Sequence, residues 1–176
     1  MLFRETVVDG AYVVELEPRG DVRGFFARAW CSREFEGYGL RPVIAQINTS
    51  FNRYKGTLRG LHYQVAPKPE AKFMRCLRGR IFDVVVDLRP LSPSYLKWVG
   101  VELTADNRLA MYVPEYCAHG YLALEDDSEV LYSTSEFYSP DSERGIRYDD
   151  TAIKIEWPLP VEHVSDKDLA WPALVK

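Results

Sequence analysis

Residues 56–89 read GTLRGLHYQVAPKPEAKFMRCLRGRIFDVVVDLR, and this run decides the fold. Its last part, RIFDVVVDLR (80–89), is the strongest strand signal in the chain. Phe82, Val84, Val86 and Leu88 fall on one face; Asp83, Val85 and Asp87 fall on the other, less apolar face. Residues 57–64 and 71–78 read as two more strands. Strict alternation gives Leu58, Gly60, His62 and Gln64 a common face in the first, and Lys72, Met74 and Cys76 a common face in the second. A lysine in line with Met and Cys is odd for a plain core, because lysine is almost never buried without a partner or a purpose. His62, one of only three histidines, lies a few residues from both Arg59 and Lys72. Arg59 falls on the face opposite His62 unless a bulge at Gly60, or a strand end, turns it.

On the N-terminal side, residues 11–17 read as a strand ended by Pro18 and Gly20. The aromatic-rich 21–30 follows, then a short helix over 32–39 with Ser32 as N-cap, then a strand over 43–51. On the C-terminal side, 97–104, 109–114, 118–124 and 128–138 continue the strand pattern, separated by Asp106-Asn107, Pro114-Glu115 and Asp126-Asp127 turns. The tail from Asp149 is broken into short segments by Pro158, Pro160 and Pro172. Many short strands at this spacing, with no repeat or linker, predict one all-β domain over residues 1–176: a β-jelly roll with one or two short helices.

Composition narrows the function. The chain has 176 residues, 47% of them hydrophobic and 27% charged, with a net charge of −4. The acidic balance and the lack of a basic run exclude general nucleic-acid binding, so any phosphate recognition is local. No segment reads as a membrane span or an ordinary signal peptide. The three cysteines, Cys31, Cys76 and Cys117, have unrelated spacings and no CxxC, which predicts a reducing, cytoplasmic setting.

A jelly roll with a central histidine invites a metal site of the His-x-His, Glu, later-His type. Gln64 stands where the second histidine belongs, Glu70 and His119 are the only other candidate ligands, and Lys72 brings a cation that opposes a divalent ion. The reading is no metal.

The motifs GTLRGLHYQ, KFMRCLRGRIFDVVVDLR, PEYCAHGY and SDKD, in this order, resemble the dTDP-4-dehydrorhamnose 3,5-epimerase family over nearly the whole chain, from Asp21 to Asp168. That resemblance implies a cupin-type jelly roll, a homodimer, no metal or cofactor, and action on a nucleotide-diphosphate 4-keto-6-deoxy sugar in deoxysugar and cell-surface polysaccharide synthesis. It implies His62 as base paired with Asp168, Tyr132 as acid, and Lys72 near the keto oxygen. Arg23, Arg28, Gln46, Asn48, Arg59, His119, Tyr138, Glu143 and Lys167 stand where the family binds substrate, with Arg23 reaching a partner's pocket. Arg28 departs from the glutamate usual after RGFF, which suggests a base other than thymine; Tyr116 replaces a small residue near His119.

The chemistry fits these residue types. Epimerisation beside a ketone needs a base, an enolate stabiliser and an acid across the ring. Imidazole titrates near neutrality, and a carboxylate on its other nitrogen fixes the tautomer. An ammonium offsets the developing oxyanion by about 3 kcal/mol, with Asp83 the expected partner holding Lys72. Guanidinium binds diphosphate through paired hydrogen bonds. His119 is as consistent with a structural hydrogen bond as with substrate contact, and His163 reads as surface. Inversion at one centre only, a 3,4-ketoisomerase, and a non-catalytic sugar-binding jelly roll remain the competing readings.

Overall fold

The structure, a computed structural model, describes residues 1–174. The described residues form strands β1 (Leu2–Glu5), β2 (Tyr12–Glu15), β3 (Arg19–Asp21), β4 (Gly24–Phe26), β5 (Gln46–Asn52), β6 (Leu58–Gln64), β7 (Lys72–Arg78), β8 (Arg80–Asp87), β9 (Trp98–Thr104), β10 (Ala110–Val113), β11 (Cys117–Ala123), β12 (Ser128–Thr134) and β13 (Glu143–Gly145). The helices are α1 (Ser32–Gly37) and α2 (Asp166–Leu169). Two antiparallel sheets face each other: β1-β2-β10-β7-β12-β5 and β13-β6-β11-β8-β9. Most neighbours are distant in sequence, as in a jelly roll. β3 and β4 pair only with each other, as a hairpin outside both sheets.

The strands expected from the sequence are present. β1, β3, β4, β13 and α2 are additions, each too short for a periodic signal. The space between the sheets is filled by Met74 and Cys76 of β7, Val130 of β12, Ile81 and Val85 of β8, and Met111. The outer face of the six-stranded sheet is covered by α1, whose Phe35 packs edge-on against Phe73 and Tyr112. Ser32 is not the N-cap. Cys31 occupies that position without a side-chain cap, so burial of Phe35 rather than capping anchors this helix.

Both faces of β8 are buried, the apolar one and the less apolar one that carries Asp83 and Asp87. The C-terminal segment lays Ile153 and Trp157 over the outward Val84 and Val86. Asp83 and Asp87 point the other way and are fully buried; His119 partners Asp83 Oδ1, whose Oδ2 has no partner among the described residues, while Asp87 is held by several donors. Asp87 accepts from Arg89 and Ser94, at 2.8 and 2.5 Å, and from Ser92. Burial pushes the Asp87 carboxyl up, but these donors outweigh it and hold it well below the usual carboxylate range.

The strict alternation of 57–64 fails at one point. His62 pairs with His119, yet Arg59 pairs with Tyr121, so three steps along β6 match two along β11. The extra residue at Gly60–Leu61 is the bulge that turns Arg59 to the same side as His62. Gly60 has φ +120°, and a Cβ there would lie 2.6 Å from Gly120 Cα and 2.7 Å from the His119 carbonyl oxygen. Neither backbone can yield without breaking the sheet. Gly60→Ala is therefore expected to cost at least about 2 kcal/mol, or roughly 4–8 °C in Tm for a chain of this size. Gly37→Ala, at a helical site with nothing within 4 Å, is the matched control and should leave Tm unchanged or raise it. Thermal melts of the two variants check this.

Candidate active site

A cavity of about 870 Å³ opens between the sheets. Beside it lies a second lobe of about 370 Å³. The two lobes share three lining residues, His62, Lys72 and Tyr132. His62 comes from β6 of the five-stranded sheet. Lys72 and Tyr132 come from β7 and β12 of the six-stranded sheet. A ring held at the junction thus has the imidazole on one side and the ammonium and phenol on the other.

His62 Nε2 lies 2.5 Å from Asp168 Oδ1. With the carboxylate ionised, Nε2 carries the proton and Nδ1 keeps its lone pair as the free basic atom. Asp168 is 4% exposed and comes from α2, 106 residues away. Its other oxygen accepts from the Gly60 amide at 3.3 Å, so the bulge also serves the carboxylate. Ser165 caps α2 by accepting from the Asp168 amide. Burial pushes the Asp168 carboxyl up, and the His62 ring, the Gly60 amide and Ser165 together bring it below its ordinary value.

Lys72 is 8% exposed and pairs with Glu70, not with Asp83 as expected. Asp83 is taken by His119, whose Nε2 is 2.8 Å from Asp83 Oδ1. The sheet register explains the correction. Asp83 lies directly opposite Tyr121 on β11, within reach of His119, whereas Glu70 enters from the loop just before β7. His119 also lines the larger lobe, so its structural hydrogen bond and its exposure to the cavity coexist. Burial raises the Tyr132 phenol above its usual value, with Tyr121 and Glu70 adding to the effect. A neutral phenol at neutral pH is a proton donor.

The remaining expected residues divide by lobe. Arg59 lies at the larger one, held by Asn52 Oδ1 at 2.8 Å and the Phe51 carbonyl at 3.1 Å. Gln46, Asn48, Tyr138 and Glu143 line the smaller one. Glu143 accepts from Lys167 Nζ at 2.7 Å on both oxygens and from the Tyr138 hydroxyl at 2.8 Å. Arg23 and Arg28 are not brought in by their own chain. Arg23 sits at the tip of the β3–β4 hairpin, bonded to Asp21, and Arg28 lies 3.5 Å from Glu34 in a separate depression. Gln64 is buried, donating to the Lys68 and Phe137 carbonyls and accepting from the Ser139 amide. It therefore shapes a loop rather than offering a metal ligand.

Sequence reasoning missed four contributors. Tyr121 and Asn52 form a polar link across the sheets, with the Tyr121 hydroxyl 2.7 Å from Ser50 Oγ. His163, read as surface, is exposed but lines the larger lobe beside Ser165. Ser165 and Asp168 carry the Ser-x-x-Asp spacing of a capping box, a signal that would have placed α2. No group of three or more metal-ligating side chains converges among the described residues.

The Glu143–Lys167 pair gives a pH-dependent prediction. Burial opposes ionisation of Glu143, but hydrogen bonds from Lys167 and Tyr138 lower its pKa, while the bond to Glu143 raises that of Lys167. A lowered carboxylate stabilises above its unfolded value near 4.3 and is lost below it. A raised lysine stabilises below its unfolded value near 10.4 and is lost above the folded one. Lys167 is half exposed, so Glu143→Gln should cost only about 1 kcal/mol, roughly 2–4 °C in Tm. The gap to wild type should be flat from about pH 5 to 10 and shrink outside that window. Melting curves across pH check it.

The comparisons with known proteins agree with this geometry. The family profile described as dTDP-4-dehydrorhamnose 3,5-epimerase matches residues 5–176. A dTDP-4-dehydrorhamnose 3,5-epimerase of Shigella flexneri is 43% identical over 166 residues, 94% of this chain and 91% of that one. The crystal structure of the enzyme of that name from Elizabethkingia anophelis NUHP1 superposes with TM-score 0.95 at 36% identity, covering 98% and 96% of the two chains. That from Bacillus anthracis strain Ames, with TDP and pyrophosphate bound, gives 0.93 at 37% identity, covering 98% and 99%. A cavity whose two lobes meet at a histidine, a lysine and a tyrosine is thus set in a chain that belongs to the dTDP-4-dehydrorhamnose 3,5-epimerase family.

Proposed function

We propose that the protein inverts carbons 3 and 5 of a thymidine-diphosphate-linked 4-keto-6-deoxy sugar, as a step of deoxysugar synthesis, by proton transfer through an enolate. The observation that carries this is the sharing of His62, Lys72 and Tyr132 by both lobes, with the imidazole and the phenol on opposite sheets. His62 Nδ1 takes the proton from the carbon beside the ketone. The C–H electron pair forms the enolate, and its charge falls on the keto oxygen beside Lys72. Tyr132 then gives its phenolic proton to the opposite face of that carbon. Solvent reprotonates Tyr132 and takes the proton from His62, so the step is balanced and leaves a solvent hydrogen on each inverted carbon. Asp168 holds the imidazole in the tautomer that leaves Nδ1 free.

Arg59 supports the diphosphate, and His119 supports the sugar. Gln46, Asn48, Tyr138, Glu143 and Lys167 border the nucleotide. The β3–β4 hairpin, unpaired with either sheet, carries the fully exposed Val22 and the exposed Phe26 with Arg23 at its tip. This supports a homodimer in which Arg23 completes the partner's site. We read residues 1–176 as one functional domain acting in the cytoplasm. Among the described residues no helix is long and apolar enough to cross a membrane.

A second reading, a base other than thymine, rests on Arg28. Affinities for TDP, UDP, CDP and GDP separate the two, and a clear TDP preference is expected. In deuterium oxide, label should enter at both carbons 3 and 5; label at one carbon alone would mean a single-centre epimerase. His62→Ala should lower exchange by about 100- to 10,000-fold while TDP binding persists. Unchanged exchange would remove His62 as the base. A chelator should leave the rate unchanged.

A further inference from the structure

The C-terminal segment that delivers Asp168 is held by contacts that take no part in the chemistry described above. Trp171 follows α2 and lines neither lobe of the cavity. Its indole lies flat on Gly145 of β13, where a Cβ would come within 2.4–2.5 Å of the ring atoms Cε2, Cδ2 and Nε1. Gly145 is in register with His62 on the neighbouring strand. The same indole meets the His62 ring edge-on, with centroids 6.0 Å apart and planes at 64°. Its Nε1 is buried without a hydrogen-bond partner among the described residues, so its seat is steric rather than polar. Two residues back, the Leu169 carbonyl at the end of α2 accepts from Arg147 Nη1 at 2.7 Å. Arg147 is itself fixed by a two-point pair with Asp149 at 2.7 and 2.8 Å.

These contacts share one consequence. α2 has only four residues and cannot hold its own position. Trp171 on Gly145 sets its height over β6, and Arg147 sets its end. We propose that Trp171 and Arg147 are positioning residues, a latch that clamps α2 to β13 so that Asp168 stays on His62 Nε2. Trp171 also limits tilting of the imidazole by bearing on its edge. Other charged and titratable groups face the imidazole as well: Lys167 from α2, Glu143 from β13, His119 from β11, Lys72 from β7 and Tyr132 from β12. None of them hydrogen-bonds to Nε2 among the described residues. Loosening the latch therefore moves α2 and takes the carboxylate off Nε2, while Glu143, His119, Lys72 and Tyr132 stay in place on their own strands.

The proposal rests on His62 and Asp168 acting as the base pair. Its test separates the two ideas, using turnover and solvent-deuterium exchange by the full chain. Trp171→Ala should lower kcat about tenfold, with KM changed by less than about twofold. Trp171→Phe should recover most of the loss. Arg147→Gln, a surface change, should lower kcat about threefold with KM again little changed. In an Asp168→Asn background, Trp171→Ala should add less than about twofold, because the carboxylate it positions is gone.

Full activity in Trp171→Ala, or a loss that simply multiplies with that of Asp168→Asn, would overturn the latch. If Trp171→Ala shows no melting transition, Arg147→Gln decides alone, and an unchanged kcat there overturns the latch. Unchanged turnover in Asp168→Asn would instead remove the base pair and leave the latch without a purpose.

Discussion

The contact between Gly60 and Gly120 is the constraint on which the site depends. Two backbones meet where neither tolerates a Cβ: the one on Gly60 would strike Gly120 Cα, and the one on Gly120 would lie 2.5 Å from the Arg59 carbonyl oxygen. That approach accommodates the extra residue of the bulge. The bulge turns Arg59 and His62 to one side and presents the Gly60 amide to Asp168. Without it a regular strand would place His62 and Arg59 on opposite faces, and the cavity would lose one of these two side chains.

The cavity and its rim are charged in a controlled way. Lys72 has Glu70, His62 has Asp168, His119 has Asp83 and Lys167 has Glu143. A cavity of this polarity between two sheets costs stability, since each buried charge must be paid for by its partner's geometry. The pairing keeps charges and tautomers defined before a substrate arrives, which is the kind of preorganisation that lowers a barrier dominated by charge developing on a ketone oxygen. The apolar packing of Met74, Val85, Met111 and Val130 elsewhere between the sheets holds that polar region in shape.

Much of this was legible in the sequence. The period-two pattern gave nearly every long strand, because a half-buried strand must alternate. The lysine at position 72, in line with Met74 and Cys76, marked an interior that was not plain core. Where periodicity was the wrong guide, the reasons are local. β8 is apolar on one face and carboxylate-bearing on the other, and both are buried, because the C-terminal segment covers the outer one. Alternation misplaced Arg59 relative to His62, and the glycine at position 60 was the one hint of why. Helix α2 is too short for periodicity, and only its Ser-x-x-Asp cap announces it.

By itself the sequence determined which chemistry the chain carries: an imidazole, an ammonium and a phenol on three strands, and the motif order that places it in its family. It did so because side-chain chemistry and strand period are local properties. Which groups pair with which was decided only by the tertiary structure. Asp168 reaches His62 across 106 residues, Glu70 rather than Asp83 takes Lys72, and Trp171 seats itself on Gly145. Such pairings follow from sheet order and from a bulge one residue long, and alternation along a single strand contains neither.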